Sequence, residues 1–174
     1  AFTMRCFAEE KKTGTLEILM TQPISIFQII FSKFLAASFL AVITILPTLI
    51  YYVSVYQMGE IVGNIDHPTT VGGYLGLILL SITFVAIGVF ASSLSKNQVI
   101  AFLLGLFFNF FIYLGISYIA VFVGNPLDYY LIKLSMLDHF NALHRGIIDS
   151  RDLIYFISVI FLALFLTKTV LKPN

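Results

Sequence analysis

Residues 68–95 read PTTVGGYLGLILLSITFVAIGVFASSLS and contain no Asp, Glu, Lys, Arg or His. About 20 helical residues cross the roughly 30 Å hydrocarbon core of a bilayer, so this run is long enough to span it. Two further runs, 34–59 and 97–127, also lack all five residue types. A fourth run, 153–167, is shorter, but its apolar pattern continues past Lys168, whose long side chain can reach the membrane surface. The sequence therefore predicts four membrane-spanning helices.

The composition excludes an ordinary soluble domain. Hydrophobic residues make up 59% of the 174 residues and charged residues only 11%, and the mean hydropathy is +0.98. The apolar runs are continuous blocks of Leu, Ile, Phe and Val without the alternation that a transmembrane strand requires. A net charge of +1 provides no polybasic surface for nucleic acid. We therefore expect an all-α integral membrane protein built as a helical bundle.

Local signals set the predicted boundaries of the spans. Ser25 and Gln28 have the spacing of a capping box, so a helix should begin at about residue 26. Pro47 should kink the first span, with Thr44 and Thr48 bonding backbone groups that the proline frees. The predicted spans cover residues 26–56, 73–94, 98–123 and 153–171.

Segment 124–152, between the last two spans, is too interrupted to cross. It contains residues typical of helix starts and ends: Asn125, Pro126, Asp128, Asp138, Gly146, Asp149 and Asp152. We expect one short helix after Asn125 and a second one capped by Asp138 and ended by Gly146. Asp149 with Asp152 should cap the last span. The segment is thus predicted to form two interfacial helices on the outer surface.

The distribution of basic residues predicts the orientation. Seven of them flank the spans on one side: Arg5, Lys11, Lys12, Lys33, Lys96, Lys168 and Lys172. The other side has only Lys133, Arg145 and Arg151. Because cytoplasmic loops are enriched in Lys and Arg, the first side should be cytoplasmic, together with both ends of the chain.

The spans lack the side chains that several functions need. Proton relays and ion-coupled carriers use ionisable residues at membrane depth, and an intramembrane hydrolase needs a nucleophile with a His, carboxylate or metal partner. No Gly-Lys pair is present, so there is no phosphate-binding P-loop. We expect no catalytic residue, cofactor or metal, and any vectorial work must draw its energy from another subunit.

Two polar features have two interpretations each, and a third has one. Asn109, near the middle of the third span, can line a substrate path or hydrogen-bond a neighbouring helix. His139 and His144 can form a metal site with Asp138 and Asp149, or they are solvated interfacial histidines. His67 is expected in a loop without an identified partner.

Segment 1–25 is the polar segment at the predicted cytoplasmic side. Thr15 should cap a short helix with Glu17 in its first turn, and Leu16, Leu19 and Met20 share one face. Such a helix can dock into a groove on a partner. The alternative is an interfacial anchor that positions the next span.

Three stretches carry a family resemblance. Residues 7–25 read FAEEKKTGTLEILMTQPIS and are followed by Lys33, a pattern that resembles the cytoplasmic loop of type-2 ABC exporter permeases. Residues 138–156 read DHFNALHRGIIDSRDLIYF and resemble the outer segment and final span of the gliding-motility and nitrous-oxide-reductase-maturation branch. With LPTLIYYVSVYQMG at 46–59 and GNID at 63–66, the chain most resembles the gliding-motility permeases (Gld F type) of Bacteroidota.

The resemblance implies an architecture, a location and partners. Such permeases have six spans, so two more would precede the present chain, making residues 1–174 one N-terminally truncated permease domain. Two permease subunits, identical or different, would bind cytoplasmic ABC ATPases at the bacterial inner membrane and move a substrate outward. The loop would be the coupling helix, with ATPase contacts at Glu9, Glu10, Gly14, Thr15, Leu16, Glu17 and Leu19. The alternative function is a non-transporting membrane anchor of a motility or secretion apparatus.

Overall fold

A computed structural model of the chain describes residues 3–58, 66–123, 127–146 and 149–172. These residues form helices and turns, with no β-strand among them. The α-helices are α1 (Ala8–Thr13), α2 (Thr15–Met20), α3 (Ile26–Ile45), α4 (Leu49–Met58), α5 (His67–Leu94), α6 (Gln98–Phe110), α7 (Ile116–Val123), α8 (Leu127–Leu134), α9 (Met136–His144) and α10 (Ser150–Leu171). A 3-10 turn, Leu46–Thr48, joins α3 to α4, and a π-helical turn, Phe111–Gly115, joins α6 to α7.

Four helical stretches in the described ranges are long and apolar enough to cross a membrane, which confirms the predicted all-α membrane bundle. We call them the first to the last span: Ile26–Met58, His67–Leu94, Gln98–Val123 and Ser150–Leu171. The second span is central, because the other three all pack against it. Its most apolar stretch is 56% buried inside the chain, against 11% for the third span.

Small residues let the other helices approach the second span closely. Gly88 and Ala91 face Gly105 of the third span, where an added Cβ would lie 3.5 Å from the Ala91 Cβ and 3.8 Å from the Gly88 Cα. Gly72 faces the end of α9 at the other end of the span. Such contacts bring backbones together and support van der Waals packing between apolar helices.

The second span begins at His67, six residues before the predicted boundary at 73. Asp66 caps it, accepting a hydrogen bond from the Thr69 amide (3.4 Å) and one from the Thr69 hydroxyl (2.5 Å). Pro68 occupies the first turn, where its missing N–H costs nothing. His67 does have a partner, since its Nδ1 lies 2.8 Å from the Tyr52 hydroxyl of the first span.

The first span begins as its sequence indicates, and its α-helix is interrupted at Pro47. The Gln28 amide donates to Ser25 Oγ (3.3 Å), and the Ser25 amide donates to Gln28 Oε1 (3.0 Å), which is the predicted capping box. Pro47 lies in the 3-10 turn that interrupts the α-helix. The hydroxyls of Thr44 and Thr48 donate to the carbonyls of Ala41 (2.7 Å) and Ile45 (2.6 Å). The carbonyl that loses its helical donor at Pro47 is that of Ile43. The predicted bonding of freed backbone groups by these two threonines is therefore wrong.

Two short helices, α8 and α9, precede the last span as predicted, but Asp138 does not cap the second. Ser135 precedes α9, so Asp138 lies in its first turn. Residues 124–126 lie outside the described ranges, so the predicted roles of Asn125 and Pro126 stay predictions. Gly146, at φ 77°, follows the end of α9, and Asp149 caps the last span by accepting from the Arg151 amide (3.1 Å).

Asp152 bonds to His139 instead of capping the last span. His139 Nδ1 lies 2.6 Å from Asp152 Oδ1, and its Nε2 lies 2.9 Å from the Lys133 carbonyl oxygen. Tyr155 stacks on the imidazole at 4.1 Å and donates its hydroxyl to the Leu134 carbonyl (2.7 Å). His139 is therefore a half-buried link between α8, α9 and the last span.

Candidate functional site at the basic end of the bundle

Helices α1 and α2 meet at Gly14 and form a bent unit that we call the elbow, residues 8–20. Gly14 has φ 74°, a left-handed conformation that favours glycine over any residue with a Cβ. It is also the N-cap position of α2, so Thr15 is the first helical residue and not the predicted cap. The Thr15 hydroxyl instead lies 2.9 Å from that of Thr13, across the bend.

The elbow is fixed to the second span through a serine. The amides of Phe7 and Ala8 donate to Ser92 Oγ at 3.0 and 3.1 Å, and Ser92 Oγ donates to the Met4 carbonyl (3.2 Å). Phe7, Ala8 and Ser92 are completely buried. The first amides of a helix have no hydrogen-bond partner within that helix. The Ser92 hydroxyl, which belongs to the second span, therefore caps the start of α1.

Two lysines link the elbow to the spans by charge. Lys33 of the first span forms an ion pair with Glu10, donates to the Cys6 carbonyl (2.5 Å) and lies 4.7 Å from the Phe7 ring centre. Lys11 Nζ donates to the Ser93 carbonyl in the last turn of the second span. A cation at a helix C-terminus interacts favourably with the helix dipole. Motion of the elbow is thus tied to both spans.

The predicted ATPase contact residues divide between two faces of the elbow. Leu16 is 7% exposed and belongs to the hydrophobic core, and Leu19 packs against that core. Glu10 is half-buried in its ion pair with Lys33. Glu9, Gly14, Thr15 and Glu17 are exposed. The chain therefore uses Leu16 for its own packing, and the surface left for a partner is the polar face.

Ile18 is a residue of this surface that helical periodicity alone did not single out. Its side chain is 64% exposed, between the exposed Glu17 and the half-buried Leu19. Two residues after Leu16, it points about 200° around the helix, away from the core. The sequence feature that could have identified Ile18 is an apolar side chain on the otherwise polar face of a short helix.

A basic cleft lies beside the elbow. It has a volume of about 280 Å³ and contains the side chains of Lys11 from α1, Lys96 from the α5–α6 turn and Lys172 from the end of the last span. Glu10 and Glu17 also line it. Burial and the nearby Lys96 ammonium hold the pKa of Lys11 below its usual value. These contacts bring the basic residues of distant segments to one end of the bundle, which we call the basic end.

Asn109 lies in the third span, just before the π-helical turn. It borders a cleft of about 360 Å³ between the second and third spans, whose lining residues carry no charge. Its Oδ1 atom is buried and has no hydrogen-bond partner in the described part of the chain. The interhelical hydrogen bond considered from the sequence is therefore not made by this oxygen.

Comparison with known protein families matches residues 1–171, nearly the whole chain, to the family described as ABC-2 family transporter protein. No curated protein matches the chain. Permeases of this family are membrane components that associate with an ABC ATPase and are not themselves catalytic. Four span-length helices, together with a match over almost the full length, show that this multi-pass membrane chain belongs to the ABC-2 transporter family as a permease subunit.

Proposed function

We propose that the chain is the permease subunit of an exporter in the bacterial inner membrane and that the exporter serves gliding motility. The sequences at 46–59, 63–66 and 138–156 support this assignment, because they resemble those of gliding-motility permeases. ATP hydrolysis in a separate ATPase supplies the energy, and the permease moves between an inward-open and an outward-open arrangement.

The basic end is the cytoplasmic end in this proposal. Seven of the ten basic residues belong to it, and cytoplasmic loops are enriched in Lys and Arg. The elbow, the α5–α6 turn and the end of the last span are then within reach of a cytoplasmic ATPase. Both ends of the chain are cytoplasmic as well.

The observation that carries the proposal is the attachment of the elbow. One side of the elbow is bonded to the second span through Ser92 and to the first span through Lys33. The other side is exposed and includes Glu17 and Ile18. A partner that moves the exposed side therefore displaces two spans directly, which is the task of a coupling helix.

The residues proposed to contact the ATPase are those of the elbow whose side chains or backbone are exposed. Glu9, Gly14, Thr15, Glu17 and Ile18 meet the ATPase, with Glu17 facing a basic group and Ile18 filling an apolar pocket. Leu19 lies at the margin of this contact. Glu10 and Leu16 act from inside, because they join the elbow to the bundle.

A second subunit, identical or different, packs against the third span. Outside the Asn109 cleft, this span exposes three large apolar side chains at a spacing of four residues: Leu103, Phe107 and Phe111. Asn109 and its uncharged cleft belong to the substrate path. An Asn109→Ala variant should then lower transport while ATPase binding stays at the wild-type level.

Substitution of Ile18 by Asp tests the elbow contact. The side chain is exposed in the isolated chain, so folding and insertion should be retained. In a complex the new carboxylate would be buried, at a cost of at least about 2 kcal/mol, which is roughly 30-fold in affinity. The measurement is the affinity of the full-length variant for the ATPase, with gliding as a second readout.

Ile24→Asp is the matched control, because Ile24 is also an exposed apolar residue of the basic end (48%) but lies beyond the elbow. It should bind the ATPase like the wild type. Wild-type ATPase affinity of Ile18→Asp would contradict the proposal and favour the alternative, a membrane anchor that transports nothing.

A further inference from the structure

Three lysines from distant parts of the sequence come together in the basic cleft. Lys11 belongs to the elbow, Lys96 to the turn between the second and third spans, and Lys172 follows the last span directly. Their approach is a product of the tertiary fold, because no run of basic residues contains them. The positive charge at this place is therefore held there by three separate elements.

The charges of these lysines are not balanced within the described part of the chain. Its two ion pairs are Lys33 with Glu10 and His139 with Asp152, and neither uses a lysine of the cleft. Glu10 lines the cleft but is already paired, which leaves Glu17 as the one other carboxylate in the lining. Lys11 donates to the Ser93 carbonyl, and its ammonium group has two further N–H donors.

The proximity of Lys11 and Lys96 has an electrostatic cost. The positive charge of Lys96 lowers the pKa of Lys11, in addition to the larger effect of burial. An anion bound between the two ammonium groups would remove this repulsion and supply acceptors for their free N–H donors.

The remaining walls of the cleft are apolar. Leu16, Val170 and Leu171 contribute them, next to the ends of the second and last spans. The cleft therefore lies beside the ends of these two spans, where hydrocarbon gives way to headgroups, and both lysines and aliphatic side chains line it. This arrangement matches a ligand that has a phosphate group attached to an acyl chain, and basic pockets between spans are known to hold such headgroups.

We infer that the basic cleft binds the phosphate of an anionic phospholipid from the leaflet at the basic end. The phosphate contacts Lys96 and Lys172, with Lys11 behind them, and the start of an acyl chain lies against Val170 and Leu171. The lipid joins the elbow to the ends of the second and last spans. All residues of this site belong to the permease chain, and Gly14 and Glu17 on its elbow side also belong to the proposed ATPase contact.

The test compares two double variants of the full-length protein. Lys96→Gln with Lys172→Gln removes two exposed lysines of the cleft, whereas Lys12→Gln with Lys168→Gln removes two exposed lysines of the same end that do not line it. Both pairs lower the net charge equally. Native mass spectrometry in a neutral detergent counts the phosphatidylglycerol molecules retained per chain as the lipid concentration rises, with phosphatidylcholine as the uncharged comparison.

We expect the wild type and the control pair to retain one phosphatidylglycerol with affinities within about threefold, and phosphatidylcholine to bind far less. The cleft pair should need roughly 30-fold more lipid, about fivefold for each lysine. Equal loss in both pairs would overturn the site, since it would show only diffuse surface attraction. Displacement of the lipid by millimolar inorganic phosphate would overturn the lipid as the ligand, and so would unchanged lipid affinity with lost ATPase binding in the cleft pair.

Discussion

Two neighbouring glycines at the start of the second span differ in what surrounds them. A Cβ at Gly72 would collide with the Leu143 carbonyl oxygen and lie 2.9 Å from the Gly146 Cα, and these backbone atoms cannot rotate away. A Cβ at Gly73 would meet only the His144 ring, 3.1 Å away, and that side chain can move. Gly72 is therefore required for the approach of α9, and Gly73 is not.

Alanine at each position tests this difference. Gly72→Ala should lower the free energy of unfolding by about 1–3 kcal/mol, because it forces α9 away from the second span. Gly73→Ala should be neutral or stabilising by up to about 1 kcal/mol, since alanine is the better helix former. Thermal unfolding of both variants in detergent measures the effect. Equal stabilities would mean that α9 is not seated on the second span as described.

The buried Asp152 gives a second prediction about single residues. Asp152→Ala leaves a His139 ring nitrogen without its partner inside the protein, which should cost about 1–3 kcal/mol of unfolding free energy. Asp138→Ala is the control, because Asp138 is exposed one position before the histidine. It should change stability by less than about 1 kcal/mol. A larger loss from Asp138→Ala than from Asp152→Ala would contradict the His139–Asp152 link.

Among the elements, the interrupted first span is the one most suited to movement. The 3-10 turn at Pro47 divides it, and the Tyr74 hydroxyl of the second span donates to the Thr48 carbonyl (2.9 Å) at the same place. The α4 half beyond the turn has no buried residue, whereas α3 has six. The α4 half can thus change direction while the α3 half stays packed.

Pro47→Ala tests whether this interruption is used in transport. Alanine is favoured over proline inside a helix by about 3 kcal/mol, so insertion should be retained and the two halves should merge. Transport should fall. Tyr74→Phe should preserve the turn but loosen its hold on the second span, with a smaller loss. Full transport by a Pro47→Ala variant that inserts and binds the ATPase would show that the turn is incidental.

At the scale of elements, the sequence predicts well what depends on neighbouring residues. The capping box of Ser25 and Gln28 is correct because both partners lie within one turn. The expected caps at Thr15 and Asp138 are wrong, since Gly14 and Ser135 precede those helices. Several polar residues near a helix start satisfy the same pattern, and only the backbone path selects one.

For the whole molecule, hydropathy predicts the four spans because burial in a membrane needs length and apolarity alone. The faces of the elbow could not be predicted in the same way. Leu16 and Ile18 are both apolar, and contact with the bundle decides that Leu16 is inside. The His139 link was also out of reach, because Asp152 lies 13 residues away on a separate helix. Long-range partners of this kind follow from packing and not from local spacing.

The orientation of the whole bundle can be measured with single cysteines in a Cys6→Ser background. Cysteines at the exposed positions 12 and 96 should be protected from an impermeant thiol reagent in intact cells. A cysteine at the exposed position 138 should be labelled, as should one at position 60, which lies outside the described residues. We expect this orientation because Lys and Arg are in excess at the basic end, and cytoplasmic loops are enriched in these residues. Labelling at position 96 together with protection at position 138 would contradict this orientation and show that the opposite one is correct.

The most direct test of the account is a photoreactive amino acid at Ile18 in the full-length protein, with its ATPase present in the same cells. If the exposed side of the elbow is the coupling surface, light should join position 18 to the ATPase. The same group at Ile154, which is 62% exposed on the last span at the opposite end, should not be joined to it. Cross-links from position 18 to lipid alone, while the ATPase still co-purifies, would contradict the claim that ATP hydrolysis reaches the spans through the elbow.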